Sequence, residues 1–180
     1  ESGEQVDFIS EFNDNKILVV KSDTGTGKTT ATKRHFKTHN KKFISIVSRR
    51  SLGAEQHRTF NEHGINVYHY EEFPLMIQGT SYVTTIDSFF KCCSEIDLQD
   101  YTLFLDECNS IINYLTDSST IRYRTHLFEF LIEALKKCKQ VIMVDADVTD
   151  NVFILLRYFT DKFTYIQNLY IHNGGTKAYE

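Results

Sequence analysis

The sequence predicts an α/β fold, a parallel β-sheet with helices on both faces. Three observations carry the prediction. Short apolar runs rich in β-branched residues recur along the chain, among them Lys16 to Lys21 (KILVVK), Phe43 to Val47 and Val141 to Val144. Segments whose apolar residues step by three and four lie between such runs, as helices require. The runs are nearly continuous rather than alternating, which marks strands buried on both faces.

Taken in order, Val6, Phe8, Ile9 and Phe12 stand at helical spacing, so a leading helix is expected within residues 1–15. Lys16 to Lys21 is then a buried strand, followed by a glycine-containing turn and a helix from about Lys28 to His39. Phe43 to Val47 is the second strand. The next helix carries Leu52, Gln56, Thr59 and Phe60 on one face. Ile65 to Tyr70, Ser81 to Ile86 and Tyr101 to Leu105 follow as strands. Leu127, Leu131, Ala134, Leu135 and Cys138 mark a helix. Val141 to Val144 is a strand that runs into Asp145, Asn151 to Phe159 a helix, and Phe163 to Tyr170 a last strand. The Val152 to Phe159 stretch is apolar nearly all round, which suits a buried helix or one that docks on another domain. No internal repeat interrupts residues 16–180, which are expected to form a single domain.

With 180 residues, the chain can bury one sizeable core. Eight glycines and one proline exclude a low-complexity linker. A net charge of −4 gives no overall attraction to nucleic acid. Such binding would have to come from local groups: Lys33, Arg34 and Lys37; Lys41 and Lys42; Arg49 and Arg50. The first two groups also suit a solvated face. Cys92, Cys93, Cys108 and Cys138 form no C-x-x-C pair, so they read as small apolar residues in a reducing, intracellular compartment. The seven histidines show no metal-ligand spacing with them. No apolar run is long enough to span a bilayer, so no membrane partner is expected, and no signal peptide is evident. The first residue is not methionine, which suggests a piece of a longer protein.

Thr24-Gly25-Thr26-Gly27-Lys28-Thr29-Thr30 lies between a buried strand and a helix, the setting of a phosphate-binding loop. Gly25 and Gly27 would let backbone N–H groups approach phosphate oxygens without a Cβ in the way, while the helix adds its positive dipole end. Lys28 would reach the β- and γ-phosphates of ATP and the Thr29 hydroxyl would take a Mg²⁺ position. The fold expected is therefore a P-loop NTPase. Ser22 stands where the G-x-x-x-x-G-K-[ST] pattern has glycine, which is tolerable if its backbone stays extended.

Asp106 and Glu107 follow an apolar strand, and strand ends in a parallel sheet point at the ligand crevice. Asp106 can hold Mg²⁺ through water, and Glu107 can orient or deprotonate the attacking water. The same pair could instead cap a helix that begins there.

Several motifs now line up in order. Ser22 to Thr30 resembles motif I of superfamily 2 helicases, and Asp106-Glu107-Cys108-Asn109 their motif II. Val47-Ser48-Arg49-Arg50-Ser51-Leu52 resembles motif Ia, and Thr84-Thr85-Ile86-Asp87-Ser88 motif Ib. Asp145-Ala146-Asp147 matches an aspartate-alanine-aspartate motif III. The wording is most similar to the origin-of-replication-binding helicases of herpesviruses and their relatives in other large DNA viruses. The resemblance runs from about Lys16 to Asp150. It departs at Cys108-Asn109, where subfamilies carry Ala-His or Ala-Asp.

The resemblance implies a first RecA-like domain of an ATP- and Mg²⁺-dependent DNA helicase or translocase. The second RecA-like domain, with its arginine finger, is absent from these residues and is the expected partner within the same polypeptide. It further implies viral genome replication in the host cytoplasm or nucleus, and in some relatives a fused primase. Arg49 and Arg50 would contact phosphates of a tracked single strand or fork, with Thr85, Asp87 and Ser88 adding contacts to it. Asp145 and Asp147 would couple nucleotide state to strand movement. Plainer roles remain open for each: exposed arginines at a helix start, an N-cap at Asp87, a solvated turn at Asp145 and Asp147. Two other functions use the same loop. One is a nucleotide kinase, for which Arg122 and Arg124 would be the downstream lid arginines. The other is a non-catalytic ATP-binding docking module.

Overall fold

The computed structural model describes residues 16–23, 28–117, 121–158, 160 and 162–168; of Lys28, Thr29, residues 121–123 and Asn168 only the backbone is described. The expected leading helix and the loop residues Thr24 to Gly27 lie outside the described residues. The elements are β1 (Ile17–Ser22), α1 (Lys28–His39), β2 (Phe43–Val47), α2 (Arg50–Glu62), β3 (Val67–His69), β4 (Ser81–Thr85) and α3 (Ile86–Cys93). They continue with β5 (Thr102–Asp106), α4 (Cys108–Thr116), α5 (Ile121–Lys137), β6 (Gln140–Asp145), α6 (Asp150–Arg157) and β7 (Thr164–Asn168).

The strands form one sheet in the order β3-β4-β2-β5-β6-β1-β7, and all neighbours run parallel. Parallel neighbours need crossovers; helices supply them on both faces, except between β3 and β4, which residues 70–80 join without a helix. Alternate residues of each strand feed opposite cores. Leu18, Val20, Phe104, Ile142 and Val144 pack under Ala31 and Phe36 of α1 and Phe60 of α2. Ile17, Val19, Leu103, Leu105, Val141 and Met143 face the other way, onto α3, α4, α5 and α6. The first core is aromatic: Phe36 and Phe43 stack at 3.9 Å between centroids, with Phe60 5.1 Å from Phe43. All four cysteines are buried free thiols. Burial pushes the Cys138 thiol up to about 11 and that of Cys108 higher still, so both stay protonated at neutral pH.

Two boundaries and the burial of α6 differ from the sequence expectation. Ile65 and Tyr70 fall outside β3. The α2 C-terminus turns at Gly64 with φ 78°, Ile65 N–H donates back to Phe60 O, and the Asn61 amide pairs with the Val67 backbone. Ile86 opens α3 rather than closing β4, so the N-cap position falls on Thr85 and Asp87 sits inside the first turn. The expected N-cap at Asp87 is therefore corrected by one geometric fact: Ile86 is already helical. Finally, α6 is not apolar on a wholly buried surface: Val152, Leu155 and Leu156 are buried, but Ile154 is 48% exposed. Among the described residues no helix is long and apolar enough to cross a membrane.

Candidate functional site

Because all strands run the same way, their C-terminal ends share one edge, and every motif singled out in the sequence emerges there. Lys21 is level with Asp145, Val144 with Asp106, and Val47 with Thr85. β1 ends on Ser22, which is fully buried and paired in the sheet beside Asn168. An extended, buried serine meets the condition under which it can replace glycine at the start of the loop. α1 then begins at Lys28. Thr30, in its first turn, is exposed.

Asp106 is the last residue of β5 and is half-buried. Its Oδ1 accepts from the Glu107 N–H at 3.0 Å, and its Oδ2 accepts from Gln56 Nε2 at 2.7 Å. Gln56 lies on the buried side of α2, and its Oε1 accepts from the Ser45 hydroxyl on β2. A chain of hydrogen bonds thus runs from β2 through α2 to the carboxylate. Sequence reasoning placed Gln56 on a helix face without a function. A glutamine amid the buried Gly53 and Phe60 was the available signal, because a buried amide demands partners.

Glu107 occupies the N-cap position of α4 in a left-handed conformation (φ 53°, ψ 53°), yet its side chain makes no capping bond. Its carboxylate turns to the end of β2 instead. Oε2 accepts from the Ser48 hydroxyl at 3.2 Å and Oε1 from Arg49 Nη2 at 3.1 Å. Arg50 points elsewhere, binding Glu71 at 2.7 Å through both Nε and Nη2. Hydrogen bonding to that guanidinium holds the Glu71 carboxyl below its ordinary range and raises Arg50. The two adjacent arginines therefore belong to different pairs.

Thr85 is buried at the end of β4, with Asp87 exposed and Ser88 half-buried on α3. The Asp87 carboxylate accepts from the Tyr114 hydroxyl of α4. Asp145 and Asp147 are more than a solvated turn. Asp145 accepts from the backbone N–H groups of Asn109 (2.9 Å) and Asp147 (3.2 Å). The Asn109 amide donates to Asp147 O and accepts from both the N–H and the hydroxyl of Thr149, at 3.2 and 3.0 Å. Lys21 Nζ reaches Asp147 Oδ1 at 3.8 Å. Asn109 thus ties the acidic pair of β5 to the turn after β6, a role that its place in the motif alone did not reveal.

The basic groups nearer the α1 side are partly engaged by the protein itself. Lys37 Nζ donates to His63 O at 3.2 Å, and Lys41 Nζ donates to the Gln140 side chain. Desolvation lowers the pKa of both Lys33 and Lys41.

The family described as "Origin of replication binding protein" matches residues 1–174. The chain belongs to this family. A protein of Escherichia phage T5 assigned as a replication origin binding protein is 27% identical over 139 residues, covering 74% of this chain and 14% of its own length. The replication origin-binding protein of Varicella-zoster virus is 31% identical over 146 residues, covering 78% of this chain and 17% of its own length. This chain of the origin-binding protein family thus spans only a small part of those relatives. Among solved structures, a single-substitution variant of S. cerevisiae Dbp5 bound to RNA and ADP BeF3 superimposes with a TM-score of 0.59 at 16% identity, over 84% of this chain and 41% of that one. At that identity the likeness establishes the fold alone, that of a RecA-like domain.

Proposed function

We propose that this member of the family is the ATP·Mg²⁺-binding first RecA-like domain of a viral DNA helicase or translocase that acts in genome replication. In this reading residues 16–180 are the domain and residues 1–15 a leading helix. The second RecA-like domain, and in a helicase–primase parent the primase, belong to the remainder of the polypeptide. One observation carries the reading. The end of β1 and the carboxylate of Asp106 share an edge only two strands apart, about 10 Å at ordinary strand spacing. That is a span a magnesium nucleotide can bridge.

The donor set suits such a ligand. Backbone N–H groups of the loop from Thr24 to Gly27, with Lys28, would take the phosphates. Thr29 and Asp106 would share the metal as oxygen donors. Glu107 would activate water. Arg49, Arg50, Thr85, Asp87 and Ser88 would meet the nucleic acid strand, and Asp145 and Asp147 would couple the two sites. Dbp5 in complex with RNA and ADP BeF3 supports nucleotide and nucleic acid as the two ligand classes, and the origin-binding relatives support DNA.

Of the two lid arginines that the kinase alternative needs, only the Arg124 side chain is described. Arg124 is held inward, donating to Tyr114 O at 2.7 Å and lying 3.9 Å over the Tyr114 ring. Calorimetric titration with ATP·Mg²⁺ tests the proposal. Lys28→Ala should weaken affinity strongly while leaving thermal stability without nucleotide unchanged; equal affinity would end the phosphate-loop assignment. On its own the chain should bind nucleotide and gain thermal stability by linkage, with turnover near background. An arginine finger on the second domain contributes roughly 10³–10⁵ in rate. Robust DNA-stimulated turnover by residues 1–180 alone would overturn the two-domain reading.

A further inference from the structure

Glu107 is held in part by Arg49, a residue expected to meet nucleic acid. Its two carboxylate oxygens are taken by consecutive residues at the end of β2, Ser48 and Arg49. Its left-handed backbone is unfavourable for a non-glycine residue and gains no capping bond in return. The orientation of the side chain is thus set by those two donors.

Arg49 is suited to let go. Its side chain is 63% exposed, and the pair rests on one nitrogen–oxygen contact at 3.1 Å rather than a bidentate fork. A guanidinium has five N–H donors, so most remain for another anion. Exposed pairs of this kind contribute little and yield to competitors. Arg50 contrasts with it: two of its nitrogens grip Glu71 at 2.7 Å.

We infer that Arg49 exchanges between Glu107 and a phosphate of a bound single strand, so that strand binding releases the Glu107 carboxylate for its work on water. Ser48 and Arg49 are then positioning residues for Glu107, not catalytic ones. The inference rests on the functional reading above. In the released state Glu107 accepts a proton from the attacking water as the water oxygen bonds to the γ-phosphorus and the bond to the β–γ bridging oxygen breaks, leaving ADP and phosphate. Linkage requires the converse as well: the carboxylate competes with the strand for Arg49, so removing its charge must strengthen strand binding.

The test is a double-mutant cycle on the full chain, read as affinity for a short oligothymidylate at low salt without nucleotide. Arg49→Ala should weaken binding. Glu107→Gln should tighten it by about two- to fivefold, the scale of an exposed ion pair. In the Arg49→Ala background the same glutamine should have no effect, and Arg49→Lys should restore part of the coupling. A general loss of negative charge would tighten binding equally in both backgrounds, and that result would overturn the exchange. So would Arg49→Ala weakening binding while Glu107→Gln changes nothing; the nucleic-acid role of Arg49 would then stand without it. Absence of any oligonucleotide binding by the unmodified chain would remove both the exchange and the reading beneath it.

Discussion

Gln56 and Asp106, 50 residues apart in the chain, meet at 2.7 Å between the amide nitrogen and Oδ2. The amide is buried, and its oxygen is occupied by the Ser45 hydroxyl. One orientation of the glutamine satisfies both neighbours, so α2 holds the acidic end of β5 in register with β2. The helix that begins with Arg50 thereby reaches the carboxylate proposed above to share the metal.

Replacing Gln56 tests that link. Gln56→Leu keeps the volume but takes the bond from Asp106 and leaves the Ser45 hydroxyl without its acceptor. Stability in urea should fall by about 1–3 kcal/mol, the cost of stranding buried polar groups. Affinity for ATP·Mg²⁺ should fall as well, with the deficit growing as Mg²⁺ is lowered. Unchanged nucleotide affinity at every Mg²⁺ concentration would make Gln56 a purely structural residue.

Asn109 offers a second test. Asn109→Ala removes the side-chain bonds to Asp147 O and to Thr149, while the backbone bond to Asp145 can persist. Loss of about 1–3 kcal/mol is expected in equilibrium unfolding. Hydrogen exchange should rise first at Asp147 and Thr149, because they lose their anchor. Protection there equal to that of the unmodified chain would show that the turn stands without Asn109.

In the parent polypeptide, Glu107→Gln should preserve ATP·Mg²⁺ binding and lower turnover by about 10²–10⁴, the scale of general-base catalysis. The amide keeps the shape and loses the proton acceptor. Turnover at the normal rate would return Glu107 to a local structural role at the start of α4.

A pH dependence of stability follows from His69. Burial, and next the His57 ring at 5.2 Å between centroids, lower its pKa; the nearby Glu71 and Glu72 oppose the shift without cancelling it. Its Nδ1 accepts from the Glu71 N–H, whereas Nε2 finds no hydrogen-bond partner among the described residues. A folded-state pKa below the unfolded one means that the unfolded chain takes up the proton first. Stability from this group is complete above about pH 6.5 and is lost as pH falls below that value. The melting temperature should therefore drop between pH 7.5 and 5.5, and by less in His69→Gln. Parallel curves for the two proteins would exclude His69 as a source of the slope.

The sequence by itself determined the strands, the helices α1, α2, α5 and α6, and the edge on which the motifs gather, while α3 and α4 were legible only as possible caps at Asp87 and at Asp106 and Glu107. Strands, helices and that edge are local properties. An apolar run such as KILVVK encodes a buried strand wherever it sits, and a residue that follows such a run in a parallel sheet emerges at the carboxyl end. Asp106 and Asp145 were legible for that reason, and Ser22 was legible as a tolerable departure. Only the tertiary structure decided the strand order, which puts β1 between β6 and β7 and β2 between β4 and β5. It also decided which of two adjacent arginines meets Glu107, that Gln56 reaches Asp106, and that Asn109 gathers in Asp147 and Thr149. Those contacts join residues 38 to 58 positions apart. No local period carries that information: side-chain partners at such separations are chosen by how two cores close on one sheet, and a shift of one residue in β5 alone would turn Asp106 to the opposite face, away from Gln56.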